Sequence, residues 1–360
     1  MRSGRSTALA AIFFATTATV PALVPQAPHN TAPPHPRGYV AHHASPPPTI
    51  DGRLDDEAWR HAAWTDPFMD IEGALKPRPR FETRAKMLWD DQFLYIAADL
   101  RDPHLWATLT GHDSVIFHDN DFEVFIDPNG DNHEYYEFEI NALGTYWDLL
   151  LSKPYKDDGK PVNSWEIPGL KSAVHLDGTL NDPRDVDRGW SVEIAFPWRV
   201  LGELARRPSP PTDGDQWRVN FSRVAWQLDP SSARYQKVKG TREDNWVWSP
   251  QHVIDMHRPE TWGYVQFSTK PAGTVTFAPD PAWSAKVWLH GVYYVQREYR
   301  KTHGRFAGTL AALGPAGAHP PDLRDASLAV VGRSFEASVT SGDGGRWAIR
   351  QDSLIRSESR

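Results

Sequence analysis

Residues 112–123 (HDSVIFHDNDFE) crowd two histidines, His112 and His118, and four carboxylates into one short stretch. Imidazole and carboxylate together suit zinc, manganese or iron, so metal binding is one chemistry on offer there. The two histidines are not spaced as an i,i+4 helical pair, and the stretch matches no defined site. Asp127, Asn129 and Asp131 then present side-chain oxygens at alternate positions. That is the start of a calcium loop, in which a hard cation gathers several oxygens. Counted from Asp127, the position for a bidentate Glu holds Phe138, and Asn129-Gly130 reads more readily as a hairpin turn. Glu134, Glu137 and Glu139 follow. Two carboxylates across a cleft hydrolyse glycosides, whereas carboxylates facing solvent from a strand are the commoner arrangement. Trp106, Trp147 and Trp165 are candidate platforms for the apolar face of a ligand ring, with core filling the other use of such side chains. No G-x-S-x-G elbow, P-loop or G-x-G-x-x-G motif is present.

These residues belong to a chain of 360 with 39 Lys+Arg against 46 Asp+Glu, a net charge of -7. The acidic balance argues against a nucleic-acid partner, because phosphates require a basic surface. The absence of cysteine excludes disulfides, thiolate metal sites and Cys nucleophiles. With 40% hydrophobic residues the chain can build a sizeable core. The 16 tryptophans exceed what core packing usually requires. At the N-terminus, Arg2 and Arg5 precede an uncharged stretch, and Val20-Pro21-Ala22 supplies small residues for cleavage. Residues 1–22 thus read as a secretory signal peptide, which makes the protein secreted or periplasmic and leaves no membrane span after its removal. Residues 23–38 read as a Pro-rich extended leader.

The elements that must position the candidates are predominantly strands from Tyr39 to Ser268. Thr83 to Trp89 and Phe93 to Leu100 are joined by the turn residues 90–92. Phe122 to Ile126, Tyr135 to Asn141 and Thr145 to Leu151 follow, then Leu170 to Leu176, Trp190 to Phe196, Trp217 to Val224 and Gly263 to Phe267. Short strands separated by Gly, Asp and Pro argue for antiparallel sheets packed as a sandwich. Helix is confined to a turn at Asp55 to Trp59 and a short piece after Pro197. Beyond Ser268 the pattern changes. Trp288, Val292, Val295 and Tyr299 share one face of a helix, ended at His303-Gly304. A second short helix is expected over Phe306 to Leu313, and a hairpin over Phe335 to Thr340 and Arg346 to Gln351. The tail from about Lys270 is expected to be separable, because a Pro- and Gly-containing linker precedes it.

Five motifs in order, IDGRLDDEAW, TRAKMLWDDQFLYIAADLRDP, DNDFEVFIDPNGDNHEYYEFEIN, GWSVEIAFPW and WRVNFSR, resemble the family 9 carbohydrate-binding module in its family 9-like branch. The resemblance covers about 220 residues between 50 and 267. It implies a jelly-roll-like β-sandwich on exported bacterial proteins that bind sugars or polysaccharide ends without catalysis. It also implies a clamp of two tryptophans, a Glu and an Arg around one sugar ring. Aligned on EVFID, the Glu falls on Glu123, the first Trp on Phe117, the Arg on Glu139 and the second Trp near Met256. Trp248 matches a structural position.

The sequence is therefore read as all-β: an antiparallel jelly-roll-like β-sandwich over 39–268, with a small α+β module over 269–360. The expected function is an exported, non-catalytic carbohydrate-binding protein. Its ligand contacts would come from Glu123, Phe117, Trp147, Trp165 and Trp106, with calcium at Asp127, Asn129 and Asp131 as the one cofactor in view. A glycoside hydrolase using the Glu-rich strands, or an envelope scaffold without the clamp, are the alternatives.

Overall fold

The computed structural model describes residues 34–358. The signal segment 1–22 and the leader as far as residue 33 lie outside the described residues. The first strands are β1 (Gly38–His43), β2 (Met69–Asp70), β3 (Thr83–Trp89) and β4 (Phe93–Arg101). Next come β5 (Asp121–Asp127), β6 (Tyr135–Asn141), β7 (Tyr146–Leu151), β8 (Pro161–Val162) and β9 (Lys171–Asp177). The larger part closes with β10 (Gly189–Pro197), β11 (Gln216–Ala225), β12 (Leu228–Asp229), β13 (Gln236–Lys237), β14 (Asp244–Val247) and β15 (Gly263–Ser268). Two short helices, α1 (Glu57–His61) and α2 (Trp198–Leu201), interrupt them.

Among the described residues all of these strands except β12 and β13, which pair only with each other, form one 13-stranded sheet, in the order β8-β7-β6-β5-β11-β15-β1-β3-β4-β10-β9 with β14 attached at β11 and β2 at β14. The sheet curls until its ends meet. Phe138 of β6 lies 5.4 Å, ring to ring, from Phe196 of β10, and the Tyr136 hydroxyl donates to the carbonyls of Val200 and Leu201. The inward residues of both halves then share one core, giving a sandwich-like, mainly β fold. The antiparallel expectation needs one correction. β1 runs parallel to both β15 and β3, so the sheet is mixed. Parallel neighbours need a long connection rather than a tight turn, and residues 44–82 supply it between β1 and β3.

Local sequence accounts for the joints. The Asp90 carboxylate accepts from the backbone N–H of Gln92 (2.7 Å) and of Phe93 (2.8 Å), which fixes the β3–β4 turn. Trp59 of α1 plugs one end of the sandwich. Its indole N–H donates to Glu193 Oε1 (2.6 Å), while Glu193 Oε2 accepts from Asp51 (2.9 Å) and Gly52 (2.7 Å). Gly52 has φ +86°, and a Cβ there would lie 2.6 Å from the backbone of Val174 and His175, so glycine is required. Glu193 thus faces three donors. We expect Glu193→Gln to lose about 2 kcal/mol in urea denaturation, because its amide must point an N–H at another N–H. A loss under about 0.5 kcal/mol would refute that account.

After Ser268 come α3 (Trp283–His303) and a second, four-stranded sheet of β16 (Arg324–Val331), β17 (Ser334–Thr340), β18 (Arg346–Arg350) and β19 (Ile355–Glu358). Gly304 ends α3 with φ +70° and donates to the Arg300 carbonyl at 2.9 Å. The expected helix over 306–313 is instead a 3₁₀ segment at Leu310–Gly317, broken at Gly314 and Pro315. The expected hairpin is β17–β18, flanked by two strands that the sequence pattern does not announce. Polar contacts join this module to the sandwich. Asp157 receives Arg297 (2.7 Å), Ser353 (2.7 Å) and the Tyr293 hydroxyl. Asn132 donates to the Ser353 carbonyl (2.9 Å), and Tyr264 donates to Asp280 (2.9 Å). None of the described helices is long and apolar enough to cross a membrane.

Candidate functional site

β5 (DFEVFID) and β6 (YYEFEIN) are buried at every position. Successive side chains of a strand point to opposite faces. Phe122, Val124, Ile126, Tyr136, Phe138 and Ile140 take the main core. The alternate set, Asp121, Glu123, Phe125, Glu137 and Glu139, therefore lies on the other face. Register places Glu123 opposite Glu139 and next to Ser222 of β11, and places Trp147 of β7 opposite Glu139. That second face has its own cover, since Trp262, Met256 and His257 pack on Phe125, Tyr135, Leu149 and Leu151.

The result is a cluster of enclosed carboxyls. Asp121 is 0%, Glu139 2% and Glu123 5% exposed, and one oxygen of each lies within 4.8 Å of the others. Phe117 N–H donates to Glu139 (3.0 Å) and Val224 N–H to Asp121 (3.1 Å), while Asp121 Oδ2 and Glu137 Oε2 have no hydrogen-bond partner. Burial pushes the Glu123 carboxyl up to about 7; the Ser222 hydroxyl draws it back and the Glu243 charge adds to the rise. Burial, then the charge of Glu123, holds Asp121, Glu137 and Glu139 well above the usual carboxylate range. Like charges this close and this dry do not all ionise at neutral pH, so the cluster retains protons and can donate as well as accept hydrogen bonds.

The sequence candidates scatter around it. Phe117, half-buried in the turn Ile116–His118, is tied to Glu139 through its N–H, and its carbonyl accepts from the Trp226 indole at 3.0 Å. Lys237 stands 3.3 Å from the Trp226 ring centre and 5.5 Å from that of Trp106. Trp106 thus joins Phe117 through two residues that sequence reasoning missed. Their one signal was an aromatic just past the end of β11, followed by a lysine in the next hairpin. Trp147 is half-buried beside Glu139, and its indole N–H is enclosed without a partner. Trp165 is a correction. It stacks on Tyr136 (4.8 Å, 22°) and packs against the main core, so it lies on the side away from Glu123.

The proposed calcium loop is also corrected. Asp127 accepts from Gly130 (2.8 Å) and Asn132 (2.9 Å), Asn129 from Asp131 (3.1 Å), and Asp131 from His133 (2.9 Å) and the Asn129 amide (3.0 Å). The oxygens serve the loop's own N–H groups, with Gly130 and Asn132 at positive φ, as in a turn. Burial and the Asp131 charge push Asp127 up to about 7. His112 and His118 part company. His118 is exposed against Phe117, while His112 lies against Tyr146 and Glu166. Glu134 pairs with Arg206. Glu137 and Glu139 stand side by side on one strand, not across a cleft.

A family model described as "Carbohydrate family 9 binding domain-like" matches residues 50–269. The chain is 30% identical over 203 residues to exoglucanase XynX of Acetivibrio thermocellus, covering 54% of this chain and 16% of that protein. It is 29% identical over 198 residues to endo-1,4-beta-xylanase A of Thermoanaerobacterium saccharolyticum, covering 54% and 15%. The matched part is thus a small fraction of those enzymes' length. A family 9 module of Caldicellulosiruptor kristjanssonii in complex with cellotriose superposes with a TM-score of 0.41 at 17% identity, covering 68% of this chain and 100% of that one. A putative carbohydrate-binding protein of Bacteroides uniformis superposes with a TM-score of 0.47 at 18% identity, covering 65% and 100%.

Proposed function

The chain belongs to the carbohydrate family 9 binding domain-like family, and from that membership we propose that it is an exported, non-catalytic carbohydrate-binding protein. The observation that supports the site is Trp147 standing opposite Glu139, which pairs with Glu123, with the Phe117 N–H donating to Glu139 from the turn beside them. A pyranose offers one apolar C–H face and a ring of hydroxyls. It asks for a flat aromatic surface beside fixed donors and acceptors. Phe117 supplies the surface, and Glu123 is the carboxyl of the family clamp. Neither the second Trp nor the Arg of that clamp is present, so stacking is one-sided. Affinity is accordingly modest, roughly 0.1–1 mM, or about 4–5 kcal/mol.

A glycan array followed by calorimetry on the best hit tests this reading. Phe117→Ala is expected to weaken binding about tenfold or more, as loss of a stacking face would. If no glycan binds the unaltered protein, a scaffold role replaces the reading. If an oligosaccharide is cleaved, a hydrolase does. N-terminal sequencing of the exported chain checks export, with a start near residue 23 expected.

A further inference from the structure

His112 stands apart from the carboxyl cluster, on the far side of β7 from Trp147, and its surroundings are unusual for a surface histidine. One ring nitrogen, Nδ1, lies 3.3 Å from the Tyr146 carbonyl. The other, Nε2, faces oxygens and no donor. Glu166 Oε2 is at 3.2 Å and Oε1 at 3.4 Å, Asp113 Oδ1 at 3.4 Å, and Asp148 Oδ1 at 3.8 Å. Asp148 is 1% exposed and rigidly held, because its other oxygen accepts the Ile167 N–H at 2.7 Å. Both Asp113 Oδ1 and Asp148 Oδ1 are enclosed and without any hydrogen-bond partner. Three carboxylates thus converge on one imidazole nitrogen, and two of the oxygens aimed there are orphaned.

We propose that His112, Asp148 and Glu166, with Asp113 beside them, bind a divalent transition-metal cation, with zinc the best fit. Nδ1–H donating to a backbone carbonyl leaves Nε2 with its lone pair outward, the usual way a metal-ligating histidine is oriented. That lone pair among three carboxylates is repulsive unless a cation or a proton lies between them; burial, the largest cause, raises the Asp148 carboxyl to about 6, and a bound cation would favour its ionised form. The spacing suits zinc. Ligands about 2.0–2.2 Å from a tetrahedral ion are about 3.3–3.6 Å from one another, and the observed separations from Nε2 run from 3.2 to 3.8 Å. The imidazole ligand argues against calcium and magnesium, which prefer oxygen throughout. The ion would pin two loops to β7: the one carrying Asp113, which leads into Phe117, and the one carrying Glu166. The site stands whether or not a sugar binds at Glu123.

The competing state is a proton. Partial burial alone would lower the imidazole pKa, but Glu166, Asp113 and Asp148 outweigh it and raise the pKa, so an ion-paired imidazolium would also fit the distances. The test uses the full chain, stripped with chelator and titrated with zinc sulfate by calorimetry, with bound metal quantified after dialysis. About one zinc per chain and a higher melting temperature in zinc are expected. His112→Gln and Glu166→Gln change exposed side chains and leave the fold in place. Each should weaken zinc binding by more than the roughly 10- to 100-fold that loss of an outer-shell partner costs. Asp131→Asn, in the loop after β5, should leave it unchanged. No zinc retained by the parent chain, or equal retention by both ligand variants, overturns the proposal in favour of the imidazolium.

Discussion

Glu123→Gln should stabilise the protein at pH 8, by about 3 kcal/mol, while removing its affinity for sugar. Burial raises the Glu123 carboxyl from 4.5 in the unfolded chain to about 7 in the folded one. The stability this group contributes is therefore fully present below pH 4.5 and lost as pH rises through 7. Above that, the folded protein carries an ionised carboxylate in a dry cluster, and every tenfold rise in its proton affinity on folding costs about 1.4 kcal/mol. Gln keeps the shape of the protonated acid, and its amide N–H finds an acceptor in Glu139 or Glu137. At pH 4.5 the gain should shrink to a few tenths of a kcal/mol. Buried His257 and His290, lowered to about 4 by desolvation, act oppositely. Their contribution is present above pH 6.5 and fades as pH falls toward 4. They are common to both proteins, so the difference between variant and parent isolates the carboxyl cluster, whose members titrate together. Urea denaturation at the two pH values measures it. A variant less stable than its parent at pH 8 would mean that the ionised carboxylate is held by a cation, and the account of a protonated cluster would fail. Opposite signs for stability and binding are what a residue kept for function at a cost in folding should show.

The same cluster marks where sequence reasoning stopped. Phe122, Val124 and Ile126, or Trp190, Val192 and Ile194, announce strands because their alternation is local and one core claims them. Glu137 and Glu139 read as solvent-facing, since nothing in β5 or β6 says that residues 256–262, far along the chain, will pack on Phe125 and Tyr135 of the same face. Trp165 failed for the same reason. Its stacking partner Tyr136 is fixed by a loop path, not by spacing. β16 (RDASLAVV) carries small residues on a half-exposed edge and so gave too weak a pattern to read. Phe117 and Trp147 were legible as candidates. That Trp147 shares a face with Glu123 follows from the registers of β5, β6 and β7, whereas Phe117 reaches Glu139 through its backbone N–H from the turn before β5. His112 shows the limit from the other side. The sequence offered His118 and four nearby carboxylates as its partners, whereas the structure keeps only Asp113 and supplies Asp148 and Glu166 from elsewhere.

Asp157→Ala should cost about 3–5 kcal/mol and free the C-terminal module before the sandwich melts. The carboxylate is fully enclosed between the two parts. It receives Arg297 Nη1 (2.7 Å), Lys156 Nζ (3.1 Å), the Ser353 hydroxyl (2.7 Å) and the Tyr293 hydroxyl. Breaking a buried pair on one side leaves the remaining charges unpaired, and that penalty exceeds what the pair itself contributes. Here Lys156, largely buried, and the partly buried Arg297 would be left with few acceptors. Glu260 sits close by and is held down to about 2. Burial alone would raise it, but Lys156, His290 and Arg258 overcome that, so Glu260 stays ionised and takes up part of the lost partnership. The expected readout is a second, lower-temperature transition, with chymotrypsin cutting first at Phe277, between the two parts, while the sandwich stays intact. Asp157→Asn keeps an acceptor for Ser353 and should lose less. A loss below about 1 kcal/mol in the Ala variant, with one cooperative transition, would mean that the apolar packing of α3 and the small sheet, not this ion network, holds the module in place.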